Sequence, residues 1–145
     1  MNTTHAGGLY AELARLAPSV AFEAARTLDP LYQWDGDGPD PADDGFEPYD
    51  VDVTATAVVA GRKVAGTSSL GGSYHRPGEP LDDAHGYLPQ MLLEAAEELL
   101  GLVEDLDPSQ AAAVRVHLDA ALAFIRQEMT ARYEAQRAES AAANV

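Results

Sequence analysis

The sequence predicts a single α+β domain with the element order αββαα, in which helices cover a two-stranded antiparallel hairpin. Only residues 49–74 have a hydrophobic period of two, whereas the other periodic segments repeat every three or four residues. A chain of 145 residues has the length of about one domain and can bury a substantial core. Cysteine is absent, so the fold does not depend on a disulfide framework.

The hairpin carries one apolar face. Alternate residues of its first strand share that face: Tyr49, Val51, Val53, Ala55, Ala57 and Val59. Gly61 and Arg62 fit a two-residue type II′ turn, because glycine favours the first central position of that turn. This turn predicts the cross-strand pairs Val59 with Val64, Ala57 with Gly66, Ala55 with Ser68, and Val53 with Leu70. The small residues at the centre of the face allow a helix to pack closely.

The chain before the hairpin predicts one helix and one loop. Residues 1–8 are expected to fray, and residues 9–28 have apolar positions three or four apart, which predicts a helix interrupted at Pro18. Residues 31–48 are rich in Asp, Gly and Pro, which is typical of a loop. We expect its aromatic residues to hold its ends and its aspartates to remain in solvent.

A second loop is predicted at residues 71–87. Four residues with side chains that bind divalent metals lie close together there: His75, Asp82, Asp83 and His85. Their spacing is not the helical HExxH pattern that would fix ligand geometry, and loop histidines commonly form hydrogen bonds within turns. We therefore expect no metal or other cofactor and no enzymatic activity, and a metal-dependent enzyme using this loop remains an alternative.

Two helices complete the predicted domain. Residues 88–106 have an apolar stripe, and Asp107, Pro108 and Gln110 form a strong start signal for a last helix. The stripe of that helix continues for about 30 residues, or about 45 Å, so its end extends beyond the preceding helix. Residues 141–145 are expected to fray. The overhanging helix and the open hairpin edges predict a homodimer.

The acidic residues are concentrated in the middle of the chain. The chain has 24 acidic and 9 basic side chains, and its formal net charge is −15. Residues 27–114 hold eighteen of the acidic side chains and three of the basic ones. Such a charge repels nucleic acids and anionic membranes and attracts basic protein surfaces.

Part of the chain resembles a known group of proteins. The run VVAGRKVAGTSSLGGSY followed by HGYLPQMLLEAAEELL resembles small uncharacterised proteins of tailed bacteriophages, which have a hairpin, a serine-leucine-glycine turn, an acidic loop and an amphipathic helix. The resemblance covers residues 50–100. It implies a phage source but no assigned activity.

These observations predict an acidic protein-interaction module, of the kind by which a phage inhibits a host protein through mimicry of DNA. Its predicted binding residues lie in the first loop and on the first helix after the hairpin: Asp35, Asp37, Asp40, Asp43, Asp44, Glu94, Glu97 and Glu98. The alternative is a structural or assembly factor whose acidity serves solubility. The chain shows neither a signal peptide nor a membrane span, so we expect a location in the cytoplasm, that of the host if the protein is viral.

Overall fold

The computed structural model describes residues 6–78 and 86–143. Within them the fold is mixed α+β, and its order is αβββαα rather than αββαα. The helices are α1 (Ala6–Leu16), α2 (Leu88–Glu104) and α3 (Pro108–Ala143), and the strands are β1 (Ala21–Leu28), β2 (Glu47–Val59) and β3 (Arg62–His75). One short 3₁₀ helix spans Pro41–Asp44.

Residues 9–28 differ most from the prediction. The predicted interrupted helix is wrong in its second half, because α1 ends at Leu16 and residues 21–28 form β1. Pro18 favours extended backbone in the residue before it and ends the helix. The strand β1 pairs antiparallel with β2, so the sheet has three strands in the order β1-β2-β3 instead of two.

The hairpin turn lies one residue earlier than predicted. Ala60 and Gly61 are its central residues, with φ angles of 53° and 79°, and Val59 pairs with Arg62. Positive φ at both positions is the pattern of a type I′ turn, not of type II′. The pairing therefore shifts by two residues from the predicted one, so that Ala55 faces Gly66 and Val53 faces Ser68. A shift of two preserves the face of the side chains from Val51 to Val59. A register irregularity between Tyr49 and Val51 then pairs Tyr49 with Ser73.

One face of the sheet forms the core with the helices. The apolar face of β2 is buried from Val51 to Val59, as predicted. Gly66 allows α2 to approach closely, because a Cβ atom there would lie 2.3 Å from the carbonyl oxygen of Ala95. The predicted apolar stripe of α2 is also buried, at Leu88, Leu92, Ala95, Leu99 and Val103.

The last helix starts and extends as predicted. The Asp107 side chain accepts a hydrogen bond from the Ser109 backbone at 3.0 Å, which caps the start of α3. With 36 residues against 17, α3 continues far beyond α2. Its buried residues end at Ile125, so the second half of the helix is mostly exposed.

Several predicted boundaries differ from the observed ones. The helix α1 begins at Ala6 and α3 ends at Ala143, inside the ends expected to fray. The segment between β1 and β2 is residues 29–46 rather than 31–48, because β1 ends at Leu28 and β2 begins at Glu47. The second predicted loop begins later than residue 71, because β3 continues to His75.

Candidate protein-interaction surface

The face of the sheet that points away from the helices is accessible to solvent. On β2 it includes Asp52 and Thr54, and on β3 it includes Thr67 and Ser69. Alternation along each strand produces this arrangement, because the neighbouring residues Val53, Ala55 and Ser68 are buried against the helices. We call this side of the sheet the open face.

Tyr74, at the end of the open face, packs against the loop that follows β1. Its ring meets the ring of Tyr32 edge to face, with centroids 6.0 Å apart, and that of Trp34 with centroids 5.8 Å apart. The backbone of Gly72 lies against Tyr32, where a Cβ atom would come within 2.6 Å of the ring. We call the three rings of Tyr32, Trp34 and Tyr74 the aromatic corner. As expected, aromatic side chains hold this loop in place.

The predicted loop aspartates belong to the same loop as Tyr32 and Trp34 of the aromatic corner. Asp35, Asp37, Asp43 and Asp44 are exposed, and Asp40 is half-buried because its side chain accepts a hydrogen bond from the Ala42 backbone at 2.9 Å. That bond caps the 3₁₀ helix.

Burial and the carboxylates of Asp40 and Asp35 contribute to a raised pKa of the Tyr74 hydroxyl. The pKa of the Tyr74 hydroxyl is raised above its ordinary value, first by burial and then by the negative charge of Asp40, the neighbouring Tyr32 and the charge of Asp35. The aromatic corner therefore lies in a negative potential.

Two further aspartates, which the predicted binding set omitted, extend this acidic surface. Asp50 and Asp52 are exposed on β2, and Asp52 accepts a hydrogen bond from the Ser69 hydroxyl at 2.5 Å. A Cβ atom on Gly71 would lie 3.4 Å from the Asp50 carboxylate, which places that carboxylate beside the end of β3. The polar alternation of β2 in the sequence was the signal that could have added them to the predicted set.

The predicted helix acids lie elsewhere. Glu94, Glu97 and Glu98 belong to α2, which packs on the other side of the sheet from the aromatic corner. Glu94 accepts hydrogen bonds from the Ser68 hydroxyl at 2.7 Å and from Gln90 at 3.1 Å, and these bonds lower the pKa of its carboxyl. Glu97 forms an ion pair with Arg126 at 2.9 Å.

His75, the first residue of the alternative metal site, is fully buried. Its Nε2 atom lies 2.7 Å from the Ser73 hydroxyl and 2.9 Å from the Tyr87 hydroxyl. Asp82, Asp83 and His85 lie outside the described residues, so the metal site stays an alternative to the prediction of no metal. Among residues 6–78 and 86–143, no three metal-binding side chains are grouped.

A serine-histidine pair that the sequence did not reveal joins α3 to the turn before β1. The Ser19 hydroxyl lies 2.5 Å from Nδ1 of His117, and the Ser19 backbone N–H also donates to that atom, at 3.3 Å. The next amide, of Val20, donates to the carbonyl of Ala17. Both amides are therefore engaged within the chain, and the contacts of Ser19 with His117 link α3 to the turn before β1.

Comparisons with other proteins give no relatives from which a role could be transferred. No protein-family model matches this chain, and no curated protein or solved structure is significantly similar to it. The resemblance to phage proteins stays a prediction. Of the helices in the described ranges, none is long and apolar enough to cross a membrane.

Proposed function

We propose that this protein is an acidic protein-interaction module that occupies a basic, nucleic-acid-binding surface of another protein. If the resemblance to phage proteins holds, the partner is a host protein that the module inhibits by standing in for DNA.

One observation carries this proposal: the loop that holds Tyr32 and Trp34 contains five aspartates, two of which act on Tyr74, and two more aspartates are exposed on β2. Five come from the loop and two from β2: Asp35, Asp37, Asp40, Asp43, Asp44, Asp50 and Asp52. A concentrated surface charge of one sign accelerates association with a surface of the opposite sign. The aromatic contacts hold the loop against the sheet, so fewer conformations have to be ordered on binding.

The acids of α2 have a smaller part in the proposed surface. Glu97 is already paired with Arg126, and Glu94 is held by Ser68 and Gln90. We therefore assign the main interaction to the loop and β2, with Glu98 and its neighbours as a separate acidic region.

A competition experiment tests the proposal. DNA-binding proteins from a bacterial lysate are retained on immobilised double-stranded DNA, and the purified protein is passed over the column at low ionic strength. We expect it to release a specific protein, and to do so less well as the ionic strength rises from about 0.01 to about 0.1 M, because the screening length falls from about 30 to about 10 Å. The released protein is then identified and its direct binding measured.

A matched pair of variants separates a binding surface from net charge alone. The loop variant changes Asp35, Asp37, Asp43 and Asp44 to Asn and retains the capping Asp40. The control variant removes the same number of exposed charges elsewhere, through Asp105→Asn, Asp119→Asn, Glu134→Gln and Glu139→Gln. We expect the control to release the partner as the wild type does and the loop variant to associate more slowly. Equal release by both variants would show that the loop aspartates are not the binding surface, and equal release after neutralising Glu94, Glu97 and Glu98 as well would show that the acidity serves solubility.

We also propose that the protein forms a homodimer. In the described part of the chain, β1 and β3 each pair only with β2, and the second half of α3 is mostly exposed. Light scattering should give about twice the monomer mass of 15.4 kDa at micromolar concentration. A mass near that of the monomer would remove the dimer but would leave the acidic module untouched.

A further inference from the structure

The aromatic corner has the composition of a site for a positively charged group. Aromatic rings attract cations through the negative potential of their faces, and carboxylates beside the rings add to that attraction. Tyr32 keeps 37% of its surface exposed, and Trp34 and Tyr74 are half-buried, so part of the corner can be reached from solvent.

We propose that the aromatic corner, with Asp35 and Asp40 beside it, binds the guanidinium group of an arginine on the partner protein. This inference rests on the proposed function and specifies the chemistry by which the partner is recognised. The partner would present an arginine at the centre of its basic surface, with the other aspartates of the loop around it.

The spacing of the rings favours guanidinium over a rounder cation. Centroid distances of 5.8 and 6.0 Å are contact distances for edge-to-face rings, so the corner encloses no gap for a quaternary ammonium group. A planar guanidinium can lie flat on the outside of a ring while its N–H groups donate to a carboxylate. An ammonium group is more strongly hydrated and gains less from such a surface.

At the same end of the sheet, two arginines of the chain already lie over aromatic rings. The guanidinium carbon of Arg76 lies 4.4 Å from the centroid of the Phe46 ring, and that of Arg26 lies 4.9 Å from the centroid of the Tyr49 ring. The described residues place no such arginine over the aromatic corner, although Asp40 and Asp35 act on its Tyr74. The corner therefore offers to a partner the arrangement that its neighbours use internally.

The wild-type protein provides a direct test. Trp34 is the only tryptophan of the chain, so its fluorescence reports on the corner itself. Two short capped peptides of equal charge, one alternating glycine with arginine and the other glycine with lysine, are titrated at low ionic strength. We expect the arginine peptide to change the emission and to bind about three- to tenfold more tightly than the lysine peptide, from the usual strength of a cation–π contact.

Variants separate the ring from the charge, with binding followed by calorimetry. Trp34→Leu should bring the affinity for the arginine peptide down to that for the lysine peptide, whereas Trp34→Phe, which retains a ring, should preserve most of the preference. Tyr133→Leu removes an exposed ring on α3 and should have no effect.

The outcomes also distinguish this inference from the function on which it rests. Equal affinity for the two peptides in the wild type would overturn the arginine site whether or not the variants fold. If the two peptides bind equally but the loop variant still associates with the partner more slowly than the control variant, the acidic module stands without the arginine site. A preference for arginine that survives Trp34→Leu would also place the site elsewhere.

Discussion

Gly66 sets the distance between β3 and α2, and replacing it with alanine should push the two apart. A Cβ atom at this position would lie 2.3 Å from the Ala95 carbonyl oxygen and 2.5 Å from the Leu99 backbone nitrogen. Carbon and oxygen atoms in contact are normally about 3.3 Å apart or more. Because both obstructing atoms belong to the helix backbone, no side chain can rotate away, and α2 would have to move by about 1 Å.

The expected change in the free energy of unfolding of Gly66→Ala is the sum of two opposing contributions. Overpacking of a core costs about 1 to 3 kcal/mol, and a clash with backbone belongs at the upper end of that range. Replacing a strand glycine by alanine recovers about 0.5 to 1 kcal/mol, because the unfolded chain loses conformational freedom. We expect a net loss of about 2 kcal/mol, which lowers the melting temperature by about 4 to 8 °C in a chain of this length.

Gly71→Ala is the matched control on the same strand. Its Cβ atom would lie 3.4 Å from the Asp50 carboxylate, an ordinary contact, so the change in stability should stay within about 0.5 kcal/mol. Both variants are compared with the wild type by thermal and urea denaturation, followed by circular dichroism. If Gly66→Ala has the same melting temperature as Gly71→Ala, the close packing of α2 on Gly66 does not hold the two layers together.

Two further predictions follow from the sides of the sheet. Val53→Asp should unfold the protein, because it buries an unpaired charge. Thr54→Asp on the open face should lower the melting temperature only slightly. Equal losses of melting temperature in the two variants would contradict the assigned faces. The bond from Ser68 lowers the pKa of Glu94, so its stabilising effect is present above the unfolded-state pKa of about 4.3 and is lost as the pH falls through the lowered value. The stability difference between wild type and Ser68→Ala should therefore narrow between about pH 6 and pH 3 in urea titrations, and a constant difference would mean that the bond does not depend on the charge of Glu94.

The sequence could not separate a helix from a strand at β1. Val20, Ala24 and Leu28 are four residues apart, and a spacing of four fits both a helical stripe and one face of a strand. Phe22 lies between them on the same face of β1, which only a period of two explains. The stronger reason is not local, because β1 gains its hydrogen bonds from β2, which lies about thirty residues away in the chain.

The turn between β2 and β3 shows why the buried and exposed faces of a strand are easier to predict than its cross-strand partners. Ala60 adopts a φ of 53°, a conformation that residues with a Cβ atom rarely adopt, and local preference assigned the first turn position to Gly61 instead. From Val51 to Val59 the resulting error of two residues changed every cross-strand partner and left every face correct. For this reason the buried face of β2 and the acidic open face could both be predicted from alternation alone. A further register shift between Tyr49 and Val51 pairs Tyr49 with Ser73, so that Ser73 and His75 rather than Tyr74 are buried at the end of β3.

The aromatic corner could not be predicted, because Tyr32 and Tyr74 meet only after β2 and β3 have paired. The sequence predicted two separate sets of acidic binding residues, one in the loop and one on α2, and did not distinguish between them. The structure separates the two sets: Glu97 and Glu94 already interact with groups of the same chain, whereas most of the loop aspartates are exposed to solvent. Neutralising an acid that has a partner removes a stabilising contact, and neutralising a solvated one mainly reduces repulsion. Changes at the loop therefore test recognition with little effect on the fold, and changes at α2 test the fold as much as recognition.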